Sequence, residues 1–405
     1  MKHCFERIMC WTERCLHRQE KHPRAAALKC AAWSLLAACK GRCACPTNDG
    51  WITLYTKWGR CVPVEPNTRR IPLIPPQGHI RLDIKKALQQ FPQVKRLGLV
   101  FFMGVGDYFY ATPFIKLLKK QFPQVALDAY VSDQFDSNNS PLVADCLRCN
   151  PNIENVYMYS GKRCAANWKN YDWSACYKTA PADTLLLPMV YEYHEGILSR
   201  TQTLCDTFCL PVPDINPVPC LDDYPVTPAV EKWLGQIPAD KKIVFLQLSN
   251  RSSGFCYAQG DELIKGLWAR GYFVITVEPT ELAADNLLKI DTHQHAITET
   301  IALLQQLRVR GARVEMLTTF SCFNSVAGGL DIPVLSMQCS YHPSIASVMF
   351  SNMFLITPYL YHNVSADRQF VAPPEAVQKK GEFYYFSAAY VLRCFERSSE
   401  AWFRK

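Results

Sequence analysis

From Arg96 onward, apolar runs of strand length alternate with stretches of helical period. Runs at 97–103, 126–131, 155–159 and 184–188 are separated by helical patterns such as 108–121 and 191–210. That alternation predicts a doubly wound α/β domain. After the proline-rich "CLPVPDINPVPCLDDYPVTP" a second series begins. It runs through "KIVFLQL", a helix over 258–270, "YFVITV", a helix over 297–310, "ARVEMLTT", a helix starting near Ser321, and "IPVLSM". The same architecture is thus predicted twice, joined by a linker near 211–228.

Upstream the pattern differs. In "KHCFERIMCWTERCLHRQEKHP", Phe5, Ile8, Trp11 and Cys15 recur at helical spacing, with Arg7, Arg14 and Arg18 on other faces and Pro23 closing the run. A second helix is read in the alanine-rich stretch that follows. Alternating aromatic and β-branched residues after Asp49-Gly50 suggest a hairpin, and prolines up to Pro76 mark a linker. The predicted organisation is an accessory segment over 1–90, Rossmann-like domains over 91–220 and 221–380, and a terminal segment over 381–405.

Charge sharpens this division. Residues 1–95 carry 17 Lys and Arg against 6 Asp and Glu, a surplus larger than the +8 of the whole 405-residue chain, so residues 96–405 sum to −3. A basic amphipathic helix can lie on an anionic membrane surface; it can equally pack on the body of the protein. No nucleic-acid recognition motif accompanies the charge, so a nucleic-acid partner is not expected. No apolar run reaches the roughly 18 residues of a spanning helix. Leu36-Ala37-Ala38-Cys39 has the shape of a lipoprotein cleavage box, but the charged region before it is long and acid-containing, and Lys29 interrupts the apolar run.

Nineteen cysteines, eight of them before residue 62, form an odd set that cannot pair completely within the chain. Several sit inside helical patterns as small apolar residues, and a reducing, cytoplasmic setting fits them best. "CKGRCAC" lacks a second ligand pair at zinc spacing, so no metal and no cofactor are expected.

The candidate chemistry lies in "GVGDYFYATP". Gly104 and Gly106 allow a tight turn after the first strand, and the helix N-terminus behind them can meet an anion. The stretch is not G-x-G-x-x-G, because residue 109 is Phe, so a dinucleotide site is not expected. Asp107 stands at the carboxyl end of a strand, where such sheets bind ligands, and suits a general base. It also suits a helix cap.

"GVGDYFYATPFIKLLKKQFPQVALDAYVSD" followed by "NPNIENVYMY" resembles the N-terminal domain of glycosyltransferase family 9, the bacterial heptosyltransferases. Gly104, Gly106, Asp107, Thr112, Pro113, Phe122, Pro123, Asn150 and Pro151 all fall in register with that family's pattern, and the resemblance spans roughly 96–345. It implies a GT-B fold of two facing Rossmann-like domains, the first for the acceptor and the second for the donor. It also implies inverting, metal-independent transfer of a sugar from a nucleotide-activated donor, usually ADP-heptose, to a glycan or lipid-linked, lipopolysaccharide-type acceptor. Asp107 would be the base, with Gly104, Gly106 and Thr112 on the acceptor-side loop, and the last helix would cross back to the first domain.

The donor half departs from the pattern. Where the family carries D-S-G-P-x-H, "FSCFNS" aligns Phe320 with the acid and Ser325 with the histidine, keeping Ser321 and offering Asn324 and Ser325 as hydrogen-bonding groups. Ser253 stands where the family has a phosphate-binding lysine. Asn250 is a further donor-site candidate, and Arg251 is the nearby cation, either a substitute for that lysine or an ordinary loop residue. Glu278 and Glu281 are both placed to meet a nucleotide ribose or to be plain surface acids. Two readings remain: an active transferase whose donor has changed, or a degenerate member that binds a sugar nucleotide or a protein partner without turnover.

A basic N-terminal segment on such an enzyme implies contact with the membrane that carries a lipid-linked acceptor. Each basic residue near an anionic surface contributes about 1 kcal/mol. Deleting residues 1–60 is expected to move the protein from the membrane to the soluble fraction on centrifugation, and an unchanged distribution would remove the membrane role.

Overall fold

The computed structural model of the chain describes residues 52–55, 79–101, 104–132, 140–159, 179–189, 199–214, 217–221, 224–250, 254–340, 349–361 and 364–404. The predicted N-terminal helices, the cysteine-rich segment and the membrane-facing surface over 1–51 lie outside these residues. Among the described residues no helix is long and apolar enough to cross a membrane.

In chain order the elements begin with β1 (Ile52–Tyr55), β2 (His79–Leu82), α1 (Ile84–Gln90), β3 (Arg96–Phe101), α2 (Val105–Gln121), β4 (Ala126–Ser132), α3 (Ser140–Arg148), β5 (Asn155–Tyr159), β6 (Thr184–Pro188) and α4 (Arg200–Thr207). They continue with α5 (Pro228–Gln236), β7 (Lys242–Gln247), β8 (Ser249–Asn250), β9 (Phe255–Cys256), α6 (Gly260–Trp268), β10 (Tyr272–Thr276), β11 (Leu287–Lys289), α7 (Ile297–Val309), β12 (Val314–Thr319) and α8 (Cys322–Leu330). The last are β13 (Val334–Met337), β14 (Met353–Thr357), β15 (Gln369–Val371), β16 (Val377–Lys380), β17 (Phe383–Phe386) and α9 (Ala388–Phe403).

Two parallel sheets carry the fold. The first has the order β5-β4-β3-β6 and the second β11-β10-β7-β12-β13-β14-β15. Their central strands read as continuous apolar runs because helices cover both faces. Gly98, in the middle of β3, has a packing reason: a Cβ there would lie 2.5 Å from Leu186 Cδ2 and 2.7 Å from Tyr130 Cε2. The one buried acid of this sheet, Asp128 on β4, is answered by Arg96 Nη1 at 2.9 Å and Asn155 Nδ2 at 2.9 Å. The predicted hairpin takes a wider form, since β1 pairs antiparallel with β2 in the register Ile52↔Leu82, some way down the chain, and not with a strand next to it.

The two halves share a buried apolar cluster that runs from Phe109 and Phe114 of α2 through Tyr224 of the linker to Ile301 of α7 and Phe323 of α8. Tyr110 stacks on Phe350 at 6.1 Å between ring centroids, and the Cys220 amide donates to Thr112 Oγ1 at 2.8 Å. The linker also packs against α8, where Gly329 leaves room for Leu221 and the Pro219 carbonyl.

The contacts described for the terminal helix, α9, lie in the second half of the chain. Leu392 fills the space left by Gly266 of α6, Phe395 meets the edge of Tyr272 at 5.6 Å, and Arg270 Nε pairs with Glu396 at 2.6 Å. The physical reason is that the apolar stripe of α9 finds its complement on α6 and β10, where a second core cluster includes Val391, Leu392 and Phe395.

Glu315 on β12 is 2% exposed beneath this helix, with Arg313 Nε at 3.2 Å and Tyr272 Oη at 3.4 Å. Burial raises its carboxyl above the ordinary range against the lowering effect of Ser399, Arg313 and Tyr272. The folded chain therefore keeps this proton to higher pH than the unfolded chain. The stability so gained is present below the unfolded value, about 4.3, and is lost as pH rises through the raised one. Glu315→Gln is expected to flatten this fall: as pH rises above about 4.3, the ordinary carboxyl value, the thermal midpoint of the wild type should drop relative to that of the variant.

Candidate active site

The point where strand order reverses in an open parallel sheet leaves a crevice at the strand carboxyl ends. In the first sheet the reversal lies at β3 and β6, in the second at β7 and β12. The two crevices face each other across one cleft of about 430 Å³. Gly104, Gly106, Asp107 and Arg200 line one wall, and Gln247, Ser249, His295, Ser321 and Cys322 line the other. At its narrowest the walls nearly touch: a Cβ on Gly106 would lie 3.5 Å from Cys322 Cα.

Asp107 caps its own helix and also reaches the cleft. It is the third residue of α2, where its Oδ2 accepts the Gly104 amide at 3.1 Å and so caps the helix. Its Oδ1 accepts from Arg200 Nη1 in an ion pair, and its side chain keeps 21% exposure towards the cleft. Arg200 opens α4, whose start is fixed by Ser199 and Gln202: the Ser199 amide donates to Gln202 Oε1 at 2.8 Å, and the Gln202 amide to Ser199 Oγ at 3.2 Å. The guanidinium also sits 4.9 Å from the Tyr110 ring centre. Through Tyr110 and Phe350, the position of the carboxylate is tied to the seam between the two halves.

Four helices begin at the cleft, α2, α4, α7 and α8. Each carries a partial positive charge. On α7 the third-position acid is Glu299, whose Oε2 accepts the Ala296 amide at 3.3 Å and lies 3.1 Å from His295 Nδ1, while its Oε1 accepts the Thr227 hydroxyl at 2.5 Å. Asp107 does the same for α2. On α8 the cap is the neutral Ser321, whose Oγ accepts the Phe323 amide at 3.3 Å, and no acid stands in the first turn. The start of α4 has no first-turn acid either, but its Arg200 is engaged by Asp107; of the two helix starts on the wall opposite Asp107, that of α8 is the one without an acid and the better placed to meet an anion.

The remaining candidates divide by position. Ser321 lines the cleft. Asn324 and Ser325, deeper on α8, are fully buried; Asn324 faces the sheet, accepting from Thr318 Oγ1 at 2.6 Å and donating to Ser336 Oγ at 2.9 Å, and so ties β12, α8 and β13 together. Ser325 Oγ is buried without a partner among the described residues. Thr112 is 1% exposed and anchors the linker, so it lies in the seam and not on an open loop. Glu278 Oε1 accepts the Leu248 and Ser249 amides at 2.7 and 2.9 Å and the Ser249 hydroxyl at 3.0 Å, which turns it onto the end of β7. Glu281 is exposed and does not line the cleft. The Asn250 backbone pairs β8 with β9; its side chain, Arg251 and Ser253 lie outside the described residues.

Three cleft residues were not foreseen in the sequence: Arg200, Gln247 and His295. The Ser199-x-x-Gln202 capping signature would have placed Arg200 at a helix start, and the four-residue spacing of His295 and Glu299 would have paired them. Gln247 Oε1 is buried at the cleft wall without a partner among the described residues, while its Nε2 donates to the Ser249 carbonyl. A buried acceptor of this kind suits a hydroxyl or N–H of a ligand. Among the described residues no group of three or more His, Cys, Asp or Glu side chains is placed to hold a metal ion, and Cys146, Cys205, Cys209, Cys256, Cys339 and Cys394 are free thiols.

No family model and no curated protein matches the sequence. Among solved structures, a glycosyl transferase family 9 protein from Veillonella parvula aligns with a TM-score of 0.51 at 10% identity, covering 76% of this chain and 96% of its own. E. coli ADP-heptose lps heptosyltransferase II aligns at 0.47 with 13% identity over 75% and 98%, and E. coli heptosyltransferase WaaC with ADP at 0.46 with 14% identity over 75% and 99%. The chain has the GT-B fold, in the form taken by the family 9 glycosyl transferase of Veillonella parvula.

Proposed function

We propose that the chain is an inverting glycosyltransferase that moves a sugar from a nucleotide-activated donor to a hydroxyl of a glycan or lipid-linked acceptor. The observation that carries this is the opposition, across one cleft of a GT-B fold, of the Asp107 carboxylate and the acid-free N-terminus of α8.

In the proposed reaction the acceptor hydroxyl attacks the anomeric carbon as Asp107 takes its proton. The bond from that carbon to the diphosphate oxygen breaks, and the electron pair leaves with the diphosphate. First-turn N–H groups of α8 meet the developing charge. A single displacement from the opposite face inverts the anomeric centre. Arg200 and the Gly104 amide hold the carboxylate in place, so that little reorganisation is needed on binding. No step needs a metal. ADP-heptose, the donor named for the E. coli heptosyltransferase II, is the first to test. The proposed setting is the cytoplasmic face of a membrane, reached through residues 1–60.

A second reading, sugar-nucleotide binding without turnover, is favoured by one feature: Asn324 is committed to Thr318 and Ser336 in the interior and, like the buried Ser325, does not line the cleft. Asp107→Asn separates the two. Asn still caps a helix, so the fold should persist. On the catalytic reading, transfer from the donor falls by roughly 10² to 10⁴-fold while donor binding is kept. Equal turnover in the two proteins would remove Asp107 as the base, and binding without turnover in the wild type would favour the second reading.

A further inference from the structure

We infer that His295 supplies the cation for the donor diphosphate, in place of the lysine that this chain lacks. The inference rests on the nucleotide-sugar reading of the cleft and names a group outside the expected donor motif.

A diphosphate brings at least two negative charges into the cleft, and a helix N-terminus offers only about half of one positive charge. A basic side chain is therefore needed nearby. Of the described residues that line the cleft, two are basic, Arg200 and His295. Arg200 is engaged by Asp107. His295 belongs to the donor half and sits on the segment leading into α7, whose Ile297 and Thr300 line the same cavity as Ser321 and Cys322 of α8.

The geometry fixes which nitrogen is presented. Glu299 Oε2 lies 3.1 Å from His295 Nδ1 and accepts the Ala296 amide as well, while Oε1 accepts the Thr227 hydroxyl. An ionised carboxylate only accepts, so Nδ1 carries a proton and Nε2 is the nitrogen left to meet a ligand. Trp233 packs against the ring at 4.7 Å between centroids and holds its plane. As imidazolium the ring donates from both nitrogens, from Nδ1 to Glu299 and from Nε2 to a phosphate oxygen. No bond to His295 forms or breaks. A carboxylate that orients a histidine in this way is a positioning group, and Glu299 does so while also capping α7. The second built feature of the same wall, the buried and unpartnered Gln247 Oε1, supplies an acceptor for a hydroxyl or amino group of the same ligand.

Calorimetric titration of the full chain with ADP, UDP and GDP, each beside its nucleoside, tests this. With the diphosphate that binds, His295→Ala should weaken affinity about 10-fold or more, the scale of one hydrogen bond to a charged group. His295→Lys, which restores a cation, should keep affinity within about 3-fold of the wild type. Nucleoside affinity and the thermal midpoint should stay close to wild type in both variants. Unchanged diphosphate affinity in His295→Ala overturns the inference and leaves the donor reading standing. So does an equal loss for nucleoside and diphosphate, which marks a structural role. A wild-type chain that binds none of the three diphosphates overturns both.

Discussion

Helix capping decides where charge can be bound in this cleft. Four helices begin at it, and two of them carry a carboxylate at the third position that folds back on its own cap. Those carboxylates are then held from outside, Asp107 by Arg200 and Glu299 by His295 and Thr227. The start of α8 has only a neutral serine cap, so an anionic ligand finds its most favourable field there.

The seam between the two halves serves the same end. Gly106 lets the start of α2 approach Cys322 at the start of α8, and Tyr110 stacks on Phe350 while its ring also faces Arg200. The group proposed as base is thereby connected to the packing of the other half. Thr112, in a motif that suggested an acceptor loop, works in this seam by holding the linker at Cys220.

Much of the fold was legible because buried parallel strands leave an unambiguous apolar signature. The strands at 126–132, 155–159, 184–188 and 242–247 fall where the runs of Val, Ile, Leu and aromatic residues put them. Asp107 was legible as a helix cap because spacing from a glycine corner fixes its place on the helix. What sequence did not give was which side of a helix faces a cleft made by distant segments. Asn324 and Ser325 looked available because they are polar, yet the turn of α8 carries them to the sheet. The helix α9 looked free to return to the first domain because its apolar stripe names no partner; the gap at Gly266 that receives Leu392 becomes visible only in three dimensions. Arg200 and His295 were hidden for a related reason, since each matters through a carboxylate at a helix start and not through a motif of its own.

The central claim is that negative charge in this cleft belongs at the start of α8. A crystal structure of the full chain with a bound nucleoside diphosphate, ADP first, tests it most directly. The account predicts the diphosphate against the first-turn N–H groups of α8, beside Ser321 and Cys322, with the Asp107 carboxylate across the cleft from it. A diphosphate seated at the start of α2, or outside the cleft, would contradict it.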